Sequence, residues 1–178
     1  SVAPNKRNTS SDTGEMVQFF VDNSTTNAAE TFVRALVQNA TVDTGAILRH
    51  SLNLASDISI NYILPKAQLE HYEEIRLECV LPVYDRNYQV GSRKISLSPV
   101  EKGSYYYFTL DGLTAVHTND MIQATLHMSQ NGRDYYSPTD SYSIATYAYA
   151  MLNSSKDSRM LTLCADLLRY GAEAQRYK

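Results

Sequence analysis

Histidine, cysteine and paired carboxylates build most catalytic and metal sites, and this chain holds four histidines and two cysteines. His50, His71, His117 and His127 are scattered, with no pair at the i, i+2 or i+4 spacing that turns two imidazoles toward one metal, so no zinc site is expected. A Cys–His nucleophile pair meets in space rather than in sequence, so spacing alone does not test it. Cys79 and Cys164, however, both fall on the aliphatic faces of their predicted elements, where a thiol behaves as a small hydrophobe. Two cysteines make no disulfide framework. The reading is a buried pair of free thiols, with a disulfide between them as the alternative. Asp111, Asp120, Asp134 and Asp140 fall in or near predicted loops, where glycoside cleavage would want its carboxylates, but turn formation and helix capping are the ordinary work of such residues. The chain has no Asp-x-Asp-x-Asp-Gly loop, no Gly-x-Gly-x-x-Gly, no Gly-x-x-x-x-Gly-Lys and no Gly-x-Ser-x-Gly, and only seven glycines. No metal and no cofactor is expected, and no residue is assigned a catalytic role.

The tyrosines are the one constellation suited to binding. There are fourteen, beside four phenylalanines and no tryptophan. Tyr105 and Tyr107 share one face of a predicted strand, while Tyr135 and Tyr136 follow a hairpin turn close to Asp134, with His127 on the preceding strand. Aromatic faces stack on sugar rings, and neighbouring polar side chains fix the orientation. Tyr105, Tyr107, Tyr135, Tyr136, Asp134 and His127 are therefore the candidate ligand-binding residues. The competing reading is that the rings cover the sheet and the docked helices, and that His127 is simply solvated or hydrogen bonded.

The elements that must position these residues follow from periodicity. Residues 1–14 are polar and read as a flexible tail or linker, and 15–44 as an extension with a strand over 16–21 and a helix over 28–38. The β-rich domain spans 45–178. Leu52 and Leu54, then Ile58, Ile60 and Tyr62, alternate with polar residues; so do Ile75, Leu77, Cys79 and Leu81; and residues 87–97 continue with Val90, Ile95 and Leu97. A turn over 101–104 precedes the strongest strand, where Tyr106, Phe108 and Leu110 oppose Tyr105, Tyr107 and Thr109. Ile122, Ala124, Leu126 and Met128 form another strand, and Asn131-Gly132 supplies the positive φ angles of a two-residue hairpin. Pro138 to Ser141 ends the sheet region and offers a helix cap. Ile144, Tyr147, Ala148, Met151 and Leu152 then mark one helix, and Met160, Cys164, Leu167, Gly171 and Ala174 the seam of a second, broadened by Leu163 and Leu168. Their short connection makes them antiparallel neighbours. The fold class is α+β: an antiparallel sandwich-like sheet packed with two C-terminal helices. A glycine inside a helix costs about 1 kcal/mol relative to alanine, so Gly171 is expected where the preceding helix or the sheet beneath comes close.

Sixteen basic and nineteen acidic residues, a net charge of −3 and a pI near 5.8 leave no basic stripe for nucleic acid or an anionic membrane. No apolar run approaches the ~20 residues that span a bilayer, so no membrane insertion is expected.

The strand pair Ser51-Leu52-Asn53-Leu54 and Asp57-Ile58-Ser59-Ile60-Asn61-Tyr62, the Tyr106-Tyr107-Phe108 strand, Asp120-Met121-Ile122, the helix lead Ser141-Tyr142-Ser143-Ile144 with Tyr147-Ala148, and the closing run from Leu167 to Gln175 (Leu-Leu-x-Tyr-Gly-Ala-x-Ala-Gln) together resemble a module. It recurs in very large secreted or wall-attached proteins of Gram-positive gut bacteria, and the similarity covers about residues 45–178. The resemblance implies an extracellular or cell-surface, non-catalytic module, carried among leucine-rich repeats, dockerins, Ig-like or carbohydrate-active domains, and it supplies no catalytic residues. Three functions follow as hypotheses. The first is an accessory or adhesion module that binds a polysaccharide or other glycan through exposed tyrosines. The second is a protein-interaction or spacer module meeting neighbouring domains of a larger protein, and the third a glycoside hydrolase using loop carboxylates.

Overall fold

The structure, a computed structural model, describes residues 41 to 177. The tail, strand and helix expected over 1–14, 16–21 and 28–38 lie outside the described residues. Ten strands and two helices follow in order: β1 (Thr41–Val42), β2 (Arg49–Leu54), β3 (Ile58–Pro65), β4 (Glu74–Asp85), β5 (Tyr88–Leu97), β6 (Val100–Lys102), β7 (Tyr105–Leu113), β8 (Ile122–Gln130), β9 (Arg133–Tyr136), β10 (Asp140–Tyr142), α1 (Ile144–Ser154) and α2 (Ser158–Ala174). One sheet has the order β1-β9-β8-β4-β5, with β10 also on β8; the second has the order β2-β3-β7-β6. All pairs are antiparallel except β1 with β9.

The alternation read from the sequence decides which face each sheet turns inward. Ile60, Tyr62, Leu64, Phe108 and Leu110 of the four-stranded sheet and Leu77, Cys79, Leu81, Ile122, Ala124, Leu126 and Met128 of the six-stranded sheet meet in one buried cluster. The domain is thus a two-layer sandwich with a largely apolar interior, and the outer faces of its sheets point in opposite directions. Turn chemistry sets the registers. Asn131 and Gly132 take φ of 51° and 74°, as the β8–β9 hairpin requires, and Gly103 at 58° opens the two-residue loop between β6 and β7.

Several features depart from the sequence reading. Glu101 and Lys102, read as part of a turn, belong to β6, and the turn is Gly103-Ser104. Residues 138–141 do not simply end the sheet: Asp140–Tyr142 forms β10, which returns to the edge of β8 after β9 has left it, and the helix cap is Ser143, whose side chain accepts from the Thr146 amide. The α2 seam does bury Cys164, Leu167 and Gly171, but Leu163 stands 41% exposed rather than broadening it. The partner of Gly171 is neither the preceding helix nor the sheet. A Cβ placed on it would lie 2.6 Å from the Cβ of Thr118, in the connection between β7 and β8. Thr118 is fully buried, donates its hydroxyl to the Ala115 carbonyl at 2.6 Å and accepts from the Ala145 amide at its own carbonyl at 2.8 Å, so it links the first turn of α1 to the last turn of α2.

Candidate functional site

The registers of the four-stranded sheet place its outward side chains in three rows across the strands. The first runs Pro65, Tyr105, Lys102; the second Arg49, Ile63, Tyr107, Val100; the third Ser51, Asn61, Thr109. None of the ten is buried, and Tyr105 is 38% exposed. The period of two that turns Phe108 and Leu110 into the core necessarily turns Tyr105, Tyr107 and Thr109 out, with the two rings about 7 Å apart along β7. In the third row Thr109 donates its hydroxyl to Asn61 Oδ1 at 2.8 Å, and Asn61 Nδ2 donates to Ser51 Oγ at 3.1 Å. This ladder uses the Asn61 oxygen and one of its two N–H groups, and so fixes the orientation of the amide. Lys102 Nζ lies 4.7 Å from the Tyr107 ring centroid. The result is an outward face with two tyrosine rings at one end and a hydrogen-bonded polar ladder at the other.

The remaining predicted residues lie elsewhere. Tyr135 pairs with Met128 and Tyr136 with His127, so the two neighbouring tyrosines point to opposite faces of the six-stranded sheet. Tyr135 turns inward, packing against the core with its ring 5.3 Å from that of Tyr72. Tyr136 is only 6% exposed and stacks on His127 at 4.8 Å. His127 Nε2 in turn meets Asp134 Oδ1 at 3.1 Å. His127 and Asp134 line a cleft of about 430 Å³ with Glu73, Glu74, Arg76 and Pro99. That cleft offers a ligand no open aromatic face, because the histidine ring is already stacked and its Nε2 engaged. The six residues grouped from sequence therefore divide among the outer face of one sheet, the outer face of the other and, for Tyr135, the core between them, and cannot grip one ligand together.

No family model matches the chain, no curated protein matches it, and no enzyme family is found. Among solved structures one match is titled "Crystal structure of Br derivative BhCBM56", a carbohydrate-binding module. It is 10% identical, with a TM-score of 0.35, over 54% of this chain and 90% of that one. A likeness this loose carries no argument about function.

The groups suited to chemistry are placed as structural members. Both cysteines are unpaired and buried. Burial, then the charges of Asp140 and Glu78, push the Cys79 thiol up to about 12, opposite to the shift that activates a nucleophile; burial also raises Cys164. His50 on β2 meets Asp140 on β10 at 2.7 Å and stacks on Tyr142 at 3.7 Å, which joins the edges of the two sheets. The Tyr142 hydroxyl is pushed up to about 12 by burial and then by Tyr147 and Asp140, so it stays protonated. Asp120 is buried behind the turn that carries Thr118, and Asp111 is exposed on β7. Among the described residues no three His, Cys, Asp or Glu side chains are grouped to hold a metal, and no helix is long and apolar enough to cross a membrane.

Sequence reasoning put Tyr105 and Tyr107 on one strand face, as the register does, and did not single out Ser51, Asn61 and Thr109 beside them. Ser51, Asn61 and Thr109 lie on three different strands, and only the pairing register brings them into line. The signal was present in part, since Asn61 and Thr109 are each the polar member of an alternating pair.

Proposed function

We propose that this protein is a non-catalytic accessory module of a secreted or cell-surface bacterial protein, and that it binds a polysaccharide across the outer face of β2, β3, β7 and β6. The observation that carries the reading is the pair Tyr105 and Tyr107, two residues apart on an open strand face beside the hydrogen-bonded ladder Ser51–Asn61–Thr109. Stacking on the rings supplies apolar contact to sugar C–H faces, and the ladder supplies donors and acceptors to hydroxyls at a fixed distance. An open face suits an extended chain passing over it; a chain end would want a pocket. The surface or secreted setting is supported by the resemblance of the closing helix and its preceding elements to modules of large bacterial extracellular proteins.

The test is a glycan array probed with the wild type, Tyr105→Ala and Tyr107→Ala. Losing one stacked ring removes about 1–2 kcal/mol, which weakens binding about five- to thirtyfold. An array without a hit that these substitutions alter overturns the proposal. The protein-interaction reading has its own supporting observation, since Tyr149, Leu163 and Tyr170 are exposed on the helices. Loss of a partner protein on substituting these three, with glycan binding absent, would favour it.

A further inference from the structure

We infer that the glycan held by this face is anionic, bearing carboxylate, sulfate or phosphate groups. The inference rests on the polysaccharide reading above and deepens it. The three rows contain two cations, Lys102 and Arg49, and no carboxylate, on a chain whose acidic residues outnumber its basic ones and whose net charge is −3. The two cations sit on the edge strands β6 and β2 on either side of the tyrosines, three strand spacings across and one row along, or about 16 Å apart at the backbone.

Of the nearby carboxylates, one is turned away from the rings and another stands beyond the ladder. Glu101, next to Lys102, pairs with Tyr106 and so belongs to the opposite side of the strand, where it binds Lys66 at 2.9 Å. Asp111, exposed two residues past Thr109 on β7, follows on the same face beyond the ladder, about 13 Å along the strand from Tyr107. The Lys102 ammonium is therefore the charge that this face sets against the rings. Lys102 Nζ also lies 4.7 Å from the centroid of the ring on which a sugar would stack. The ammonium sits over that ring face, so a sugar approaching Tyr107 meets it directly, and there an acidic substituent forms a charge-assisted hydrogen bond while a neutral hydroxyl gains less. Arg49 gives a second acidic group on the same chain a guanidinium across the strands.

The experiment is affinity electrophoresis in native gels containing polygalacturonate, its fully methyl-esterified form, dextran sulfate or dextran, each against a gel without polymer. The expected result is retardation by polygalacturonate or dextran sulfate, weakened by rising salt, and little retardation by the two neutral polymers. Retardation by polygalacturonate alone identifies a carboxylate glycan; retardation by both anions identifies charge of either kind. Lys102→Gln and Arg49→Gln should each weaken retention about two- to fivefold. Arg76→Gln, an exposed cation on the outer face of the other sheet, should leave it unchanged. Equal retention by the methyl-esterified polymer overturns the anionic inference while leaving the polysaccharide reading intact, and so does an equal effect of Arg76→Gln. Failure of all four polymers and of the glycan array overturns both.

Discussion

Gly171→Ala tests the packing of the helical pair against the sandwich. On an isolated helix the substitution would stabilise by about 1 kcal/mol, because alanine is the better helix former. Here the new methyl would lie 2.6 Å from Thr118 Cβ, 2.9 Å from its Cγ2 and 3.2 Å from its Oγ1, where ordinary contact needs at least 3.4 Å. Thr118 cannot yield by a rotamer change alone, since its own Cβ is the nearest atom. Its backbone is held by the Ala145 amide and its hydroxyl by the Ala115 carbonyl. Overpacking costs about 1–3 kcal/mol, and a strained or lost hydrogen bond about 1 more. Against the propensity gain, the net expectation is about 1–3 kcal/mol of destabilisation, or about 2–10 °C in melting temperature for a domain of this size. The assay is thermal unfolding followed by circular dichroism for the wild type, Gly171→Ala, Thr118→Gly and the double variant. Both single variants should melt lower, and the double variant should be less destabilised than their sum by about 1 kcal/mol or more, because the clash is gone. A Gly171→Ala protein that melts above the wild type, with additive behaviour in the pair, would refute the reasoning.

Other outcomes follow from the same geometry. His50→Ala or Asp140→Ala should lower stability by about 1–3 kcal/mol in denaturant titrations, because the pair is 17% and 22% exposed and each substitution leaves a charged or polar partner half-buried across the sheet edges. Cys79 should resist a thiol reagent at pH 8 in the folded protein and react on unfolding. Its folded value is raised from 9.0 to about 12, so the stability that its protonated thiol contributes is fully present below about pH 9 and is lost as pH rises from there toward 12; the Cys79→Ala melting curve should accordingly be flatter over that range. Gly132→Ala, at φ of 74°, should cost about 1 kcal/mol in the same melts and broaden amide signals of the β8–β9 hairpin, whereas Gly91→Ala, with open space around it, should not.

Much of the fold is legible in the chain because its strands alternate cleanly. The inward set from Ile60 to Leu64 and from Ile122 to Met128 coincides with the polar–apolar period, and Asn131-Gly132 marks its hairpin unaided. Shorter and non-local features are not. Asp140-Ser141-Tyr142 is three residues long and rich in capping types, so its pairing with Gln123 and Ala124 has no periodic signature. Gly171 announces a close approach but not the partner, since Thr118 comes from a connection between strands. Tyr135 and Tyr136 look like a single aromatic pair until the hairpin register assigns them to opposite faces. The platform is half legible for the same reason: Tyr105 and Tyr107 are paired by spacing along one strand, while Ser51, Asn61, Thr109, Arg49 and Lys102 join them only through the order β2-β3-β7-β6.

The measurement that reaches the central claim most directly is a nuclear magnetic resonance titration of the labelled protein with the polysaccharide that binds best on the array or in the gels. The account predicts shifts confined to the outward residues of β2, β3, β6 and β7, centred on Tyr105, Tyr107 and Asn61, and absent in Tyr107→Ala. Shifts centred on His127 and Asp134, on the helices, or nowhere at saturating polymer would contradict it.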